Sequence, residues 1–188
     1  MSVADARLLE KVARGLKEPW TTSGAAAQGS ILSVAAGVYG SRPVAEETTI
    51  PTGFDPRAAV LFEAIVESAY LVSNADGVLD DAEREAFAEV VTTACGGAVE
   101  EDQIRDLLTD LREHLKEDGL DARVRAIALA VGKPEQRREV LRIAGLLAHV
   151  SGGVSDVEKN VLVKLAAAFH LEPSEVDAAI EAVKSALA

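Results

Sequence analysis

The sequence predicts an all-α protein, a compact helical bundle of about seven helices, and three observations carry that prediction. Of the 188 residues 48% are hydrophobic but only 4% aromatic, so Leu, Val, Ile and Ala must build the core. Ala and Leu are strong helix formers. No run alternates Val, Thr and Tyr as a half-buried strand would. Apolar residues instead recur at helical spacing in segment after segment, punctuated by Gly, Pro and Asp. A chain of this length encloses one well-buried core. The predicted organisation is an N-terminal helix over 1–20, a partly irregular linker or arm over 21–55, and a helical domain over 56–188.

Residues 4–17 place Leu8, Leu9, Val12 and Leu16 on one helical face, and Pro19 stops that helix. Trp20, the sole tryptophan, is expected to pin it to the body or to a partner. TTSGAAAQGS reads as a linker. SILSVAAGVYG reads as a short helix whose Ser33, Ala36, Gly37 and Gly40 permit close packing, and SRPVAEETTIPTG as an extended stretch broken by Pro43 and Pro51. Asp55-Pro56 is an N-cap followed by proline at the first helical position, and that helix carries Val60, Leu61, Ile65, Tyr70 and Leu71 and runs into the acidic turn. Asp80 and Glu83 have capping-box spacing at the head of the next helix, which ends at Gly96-Gly97. An amphipathic helix over 99–116 turns Ile104, Leu107, Leu108, Leu111 and Leu115 inward and stops at Gly119. Asp121 is expected to cap a helix to Val131, and Pro134 to open another carrying Val140, Leu141, Ile143, Leu146 and Leu147. Ser155 or Asp156 begins a helix to His170, and Glu172-Pro173 the last.

An internal repeat is visible without gaps. Gly77 and Gly152 lie 75 residues apart (152 − 77), and the same offset pairs Leu71 with Leu146, Asp81 with Asp156, and Glu83 with Glu158. Apolar character matches at Val72/Leu147, Phe87/Leu162 and Val90/Leu165. A duplicated helix–turn–helix unit follows, with its two turns brought together in the bundle.

Each turn is acidic. Asp76, Asp80 and Glu83 surround Gly77, and Asp156 and Glu158 follow Gly152. Carboxylates clustered at a helix-to-helix turn suit a hard cation such as Ca²⁺ or Mg²⁺, which takes oxygen ligands. Laid on an EF-hand loop, Asn74, Asp76, Gly77, Asp80 and Glu83 fall at positions 3, 5, 6, 9 and 12, but position 1 is the apolar Val72. The helix therefore continues into the turn and leaves a partial oxygen cage. Ser151 and Ser155 replace Asp76 and Asp80 in the second turn, which lowers ligand charge and places any Ca²⁺ affinity near 10⁻⁴ to 10⁻³ M. The same acids also have a purely structural use, as N-caps and as partners of the helix dipole.

The formal net charge is −12. Residues 1–55 hold six acids and five bases, so nearly all of it belongs to the remainder of the chain. Such a body repels phosphate backbones, and no basic patch with interleaved aromatics argues for nucleic acid. Cys95 stands alone, which excludes a disulfide framework and a thiolate cluster and leaves core filler. The charged, helical N-terminus is unlike a signal peptide, and no apolar run approaches the roughly 18 residues of a spanning helix. A cytoplasmic protein without direct membrane insertion is expected. His114, His149 and His170 sit in separate helices or helix ends, with no HExxH, nucleophile elbow or phosphate-cradling loop around them, so no catalytic or cofactor-binding residue is assigned.

SNADGVLDDAERE, DARVRAIALAVGKPEQRREVLRIAGLLAHV and SGGVSDVEKNVLVKLAAAFHLEPSEVDAAI occur in this order over about residues 56–188. In motif order and spacing the chain resembles the tellurite-resistance TerB and TerB-like family. The resemblance implies a duplicated all-helical domain, a cytoplasmic stress-response role, and acidic turns proposed to bind divalent metal. It also implies non-enzymatic work with protein partners in a membrane-associated assembly. Carried over by position, Asp76, Asp80 and Glu83 match the first turn, and Asp156 and Glu158 the second, where Ser151-Gly152 departs from the family's usual Asp-Gly. The function expected is a TerB-like accessory or interaction module that weakly binds a divalent cation. The alternative is a metal-independent scaffold or homo-oligomer acting through its N-terminal arm, including Trp20 and Ile31–Tyr39.

Overall fold

Two helices whose C-terminal halves are buried on every side form the axis of the molecule. The computed structural model describes residues 3–19, 29–41, 55–77, 79–151 and 153–188, and among them it is all-helical. In chain order the helices are α1 (Val3–Lys17), α2 (Ile31–Tyr39), α3 (Pro56–Ser73), α4 (Asp81–Ala94), α5 (Glu101–Asp118), α6 (Leu120–Ala130), α7 (Pro134–Ala148), α8 (Asp156–Ala168) and α9 (Pro173–Leu187). A single 3-10 turn, His149–Ser151, continues α7. Trp20, the linker after it and most of the stretch around Pro43 and Pro51 lie outside the described residues.

α3 and α7 pack against each other at the centre. The last ten residues of α3, Ala64–Ser73, are all buried, and so are the last ten of α7, Glu139–Ala148. These two runs are related by the offset of 75 residues seen in the sequence. α4 and α8 then begin at equivalent positions, and Phe87 and Leu162 are both fully buried. The repeat is therefore one of structure as well as of letters. A helix surrounded on all faces must be apolar around its circumference, which both runs nearly are.

Each central helix also carries buried charge, and each charge clamps a neighbour. Glu67 of α3 accepts from Arg123 of α6 at 2.6 and 3.0 Å, a bidentate pair. Arg142, 75 residues later on α7, donates to the carbonyl of Gly15 at 2.9 Å and to that of Glu18. It thereby satisfies the orphan carbonyls at the end of α1, whose chain cannot continue through Pro19. One turn back, Glu139 accepts from the backbone N–H of Ile31 at 2.9 Å, at the first turn of α2. A cation at a helix C-terminus and an anion at an N-terminus are the favoured arrangements.

The N-terminal helices are consequently part of the core. α1 buries Leu9, Val12, Ala13 and Leu16 against α4, α7 and α9, and Lys11 donates to the carbonyl of Leu187 at 2.8 Å. α2 buries Leu32, Ala35, Ala36 and Tyr39 against α3, where the rings of Tyr39 and Phe62 lie 4.5 Å apart. A Cβ on Gly40 would stand 1.7 Å from the Ala98 carbonyl oxygen, so the close approach foreseen at that position is real.

Several local expectations shift. Asp121 does not cap α6: Gly119, at φ +78°, occupies the cap position, and Asp121 pairs with Lys164 of α8 instead. Val60 points outward, with 47% of its surface exposed, because α3 is buried on all sides only in its second half. α8 ends at Ala168, and His170 takes φ +56° beyond it. Cys95 is buried at the end of α4, and that burial pushes its thiol up to about 12, which suits inert filler.

Candidate functional site

The two acidic turns begin where α3 and α7 leave the core. α3 remains helical through Ser73, so Val72, which would open an EF-hand loop, is fully buried. Asn74 then closes the helix, and its side-chain oxygen accepts from the Leu79 N–H at 3.3 Å, bracing the turn across its mouth. Asp80 and Glu83 form the anticipated capping box. The Glu83 N–H donates to Asp80 at 2.8 Å and the Asp80 N–H to Glu83 at 2.9 Å. Asp76 is exposed within the turn.

The second turn reproduces this frame with one change of chemistry. Ser155 and Glu158 make the same reciprocal box, at 3.3 and 2.6 Å. His149 occupies the position of Asn74, and its Nδ1–H donates to the Gly145 carbonyl at 2.9 Å. That bond leaves Nε2 as the acceptor of the neutral ring. Gly153, at φ +107°, has room for the imidazole, which lies 3.7 Å from where a Cβ would stand. Asp156 is exposed in the first turn of α8, and its charge is felt by Lys159.

The fold brings the two turns together. The 3-10 turn after α7 packs on α4, and α8 packs on α3. Glu158 is 2% exposed, and burial holds its carboxyl above the usual range. Its hydrogen bonds with Ser155 pull it back down, and the nearby Asp76 charge pushes it up. Thus Asp76 and Glu158, one from each turn, lie within electrostatic reach of each other. Asp80 and Glu83 each spend an oxygen on the cap of α4, as Glu158 does on the cap of α8, and Asp156 is exposed in the first turn of α8. Among the described residues no three His, Cys, Asp or Glu side chains converge as a ready-made ligand set.

The family model for tellurite resistance protein TerB matches residues 62–181. The chain belongs to the TerB family. The match takes in both turns and the whole of α4 to α8, and it leaves α1 and α2 outside. Comparison with curated proteins gives no match, and comparison with solved structures gives none. Among the described residues no helix of this TerB-family chain is long and apolar enough to cross a membrane.

Burial of Glu158 and the Asn74 brace were not legible beforehand. The signal for the first was the offset itself, since Glu158 repeats Glu83. Its consequence, a buried acid facing an exposed one, depends on how the halves pack.

Proposed function

We propose that this TerB-family chain is a non-enzymatic accessory module in stress response, acting with protein partners, whose paired turns weakly bind a divalent cation. The observation that supports the cation part is that the Asp76 charge in the first turn reaches the buried Glu158 in the second. Two like charges held together with one of them desolvated favour a cation between them. The ligand set is poor in carboxylates, so Ca²⁺ or Mg²⁺ would fill the rest of its shell with water and backbone oxygen. Asp80 and Glu83 supply the frame of the first turn, Ser155 and the Glu158 backbone that of the second. When bound, the ion would lock the exits of α3 and α7 relative to one another.

Thermal unfolding in Ca²⁺ tests this. With a dissociation constant near 10⁻³ M, 10 mM Ca²⁺ stabilises the folded state by roughly 1.4 kcal/mol. The stabilisation should vanish in Asp76→Asn and in Glu158→Gln and persist in Asp156→Asn. No shift in the wild type, or an equal shift in all three variants, removes the cation from the proposal.

The alternative, a scaffold working through its N-terminal arm, meets a constraint. Ile31–Tyr39 spends Leu32, Ala35, Ala36 and Tyr39 on the core, so this segment could engage a partner only by its outer face.

A further inference from the structure

Three of the five large apolar side chains that stand exposed among the described residues share one place. Leu129, Val34 and Val60 are 87%, 60% and 47% exposed, and all three line a groove of about 810 Å³. The groove lies where α2, α3 and α7 begin and α6 ends, whereas the acidic turns follow the far ends of α3 and α7. Its volume is that of small-molecule sites. A cluster of bare aliphatic groups costs free energy in water and marks a binding surface when it is concave.

The polar lining has a sign. Arg57 and Lys133 both border the groove, and neither side chain forms an ion pair with a described residue. On a chain of net charge −12 this is a local reversal. Asp55 also borders it, but its carboxylate is turned to the Arg57 N–H at 2.9 Å as the cap of α3. The start of α2 is likewise satisfied, by Ser30 and Glu139. α7 differs. Lys133 at its cap position makes no side-chain cap hydrogen bond, Pro134 follows, and Glu135, the one acid of the first turn, does not line the groove. The positive end of a helix attracts an anion.

We propose that this groove binds a single-chain anionic amphiphile, a free long-chain fatty acid, with its alkyl chain along Val34, Val60 and Leu129 and its carboxylate toward Lys133, Arg57 and the start of α7. The proposal is independent of the cation reading, since no residue is shared. Titration calorimetry of the full chain with laurate below its micelle concentration tests it, beside dodecanol and dodecyltrimethylammonium. The expected result is saturable one-to-one binding of laurate, weaker binding of the alcohol and weakest binding of the cation. Leu129→Asp should abolish binding, and because that side chain is 87% exposed the variant should keep its melting curve. The double variant Arg57→Glu/Lys133→Glu should weaken laurate about tenfold or more while sparing dodecanol. Equal affinity for the three probes, or laurate binding untouched by Leu129→Asp, overturns the proposal. So does uptake only from anionic vesicles, which would mean a membrane surface. Uptake by Phe54→Asp but not by wild type would mean that the chain's own residues before Asp55 occupy the groove, and this too would overturn it.

Discussion

At the scale of single residues the chain uses acids in two distinct ways. Asp80 and Glu83 work through hydrogen bonds to backbone N–H groups, and each N-cap of this kind contributes about 1 kcal/mol. Glu158 makes the same bonds but is buried, and its carboxyl is raised by desolvation first and by Asp76 second. The sign follows from linkage. Between the ordinary carboxylate range and the raised folded value, the native state holds more protons than the unfolded one, so stability falls as pH rises through that window. Glu139, also raised by burial, adds to the same slope. Glu158→Gln keeps an acceptor for the Ser155 N–H and removes the buried charge. It should therefore raise the melting temperature at pH 7 and flatten the fall in stability above the ordinary carboxylate range, as thermal melts over pH 4 to 8 would show. A lower melting temperature at neutral pH would mean that the ionised carboxylate is better partnered than its burial implies.

At the scale of elements the recurring device is a buried charge on a central helix holding the end or side of another. Arg142 is the clearest case because its two acceptors, Gly15 and Glu18, lie at the end of α1. Arg142→Met keeps the aliphatic stem and gives up both bonds. It should cost about 2 kcal/mol, and hydrogen exchange should accelerate in α1 well before it does in α3. Uniform acceleration throughout the molecule would argue that α1 has no separate opening. Replacing Glu139 by Gln, which still accepts from Ile31, should leave α2 in place and test whether charge or mere acceptance is needed there.

At the scale of the whole molecule, the TerB match covers residues 62–181 while the core extends across α1 and α2. Removing residues 1–41 would uncover the surfaces of α3, α4, α7 and α9 on which Leu9, Val12, Leu16, Leu32 and Tyr39 pack. The truncated chain should lose cooperative unfolding or self-associate, which scanning calorimetry and light scattering would report. A monomer melting as sharply as the full chain would show that the matched domain stands alone. Helix positions, the capping box at Asp80 and the duplication were legible in the sequence, because periodicity, caps and an offset of 75 residues are local or linear signals. The fate of α2, the outward turn of Val60 and the role of Asp121 were not, since short apolar segments have no preferred side until neighbours cover them. The sequence by itself determined which segments are helices and that two halves share one plan, because propensity and capping act within a few residues. Tertiary structure decided that the Asp76 charge reaches the buried Glu158, and that α1 and α2 belong to the core. Proximity and desolvation arise only when distant parts of the chain exclude water from one another.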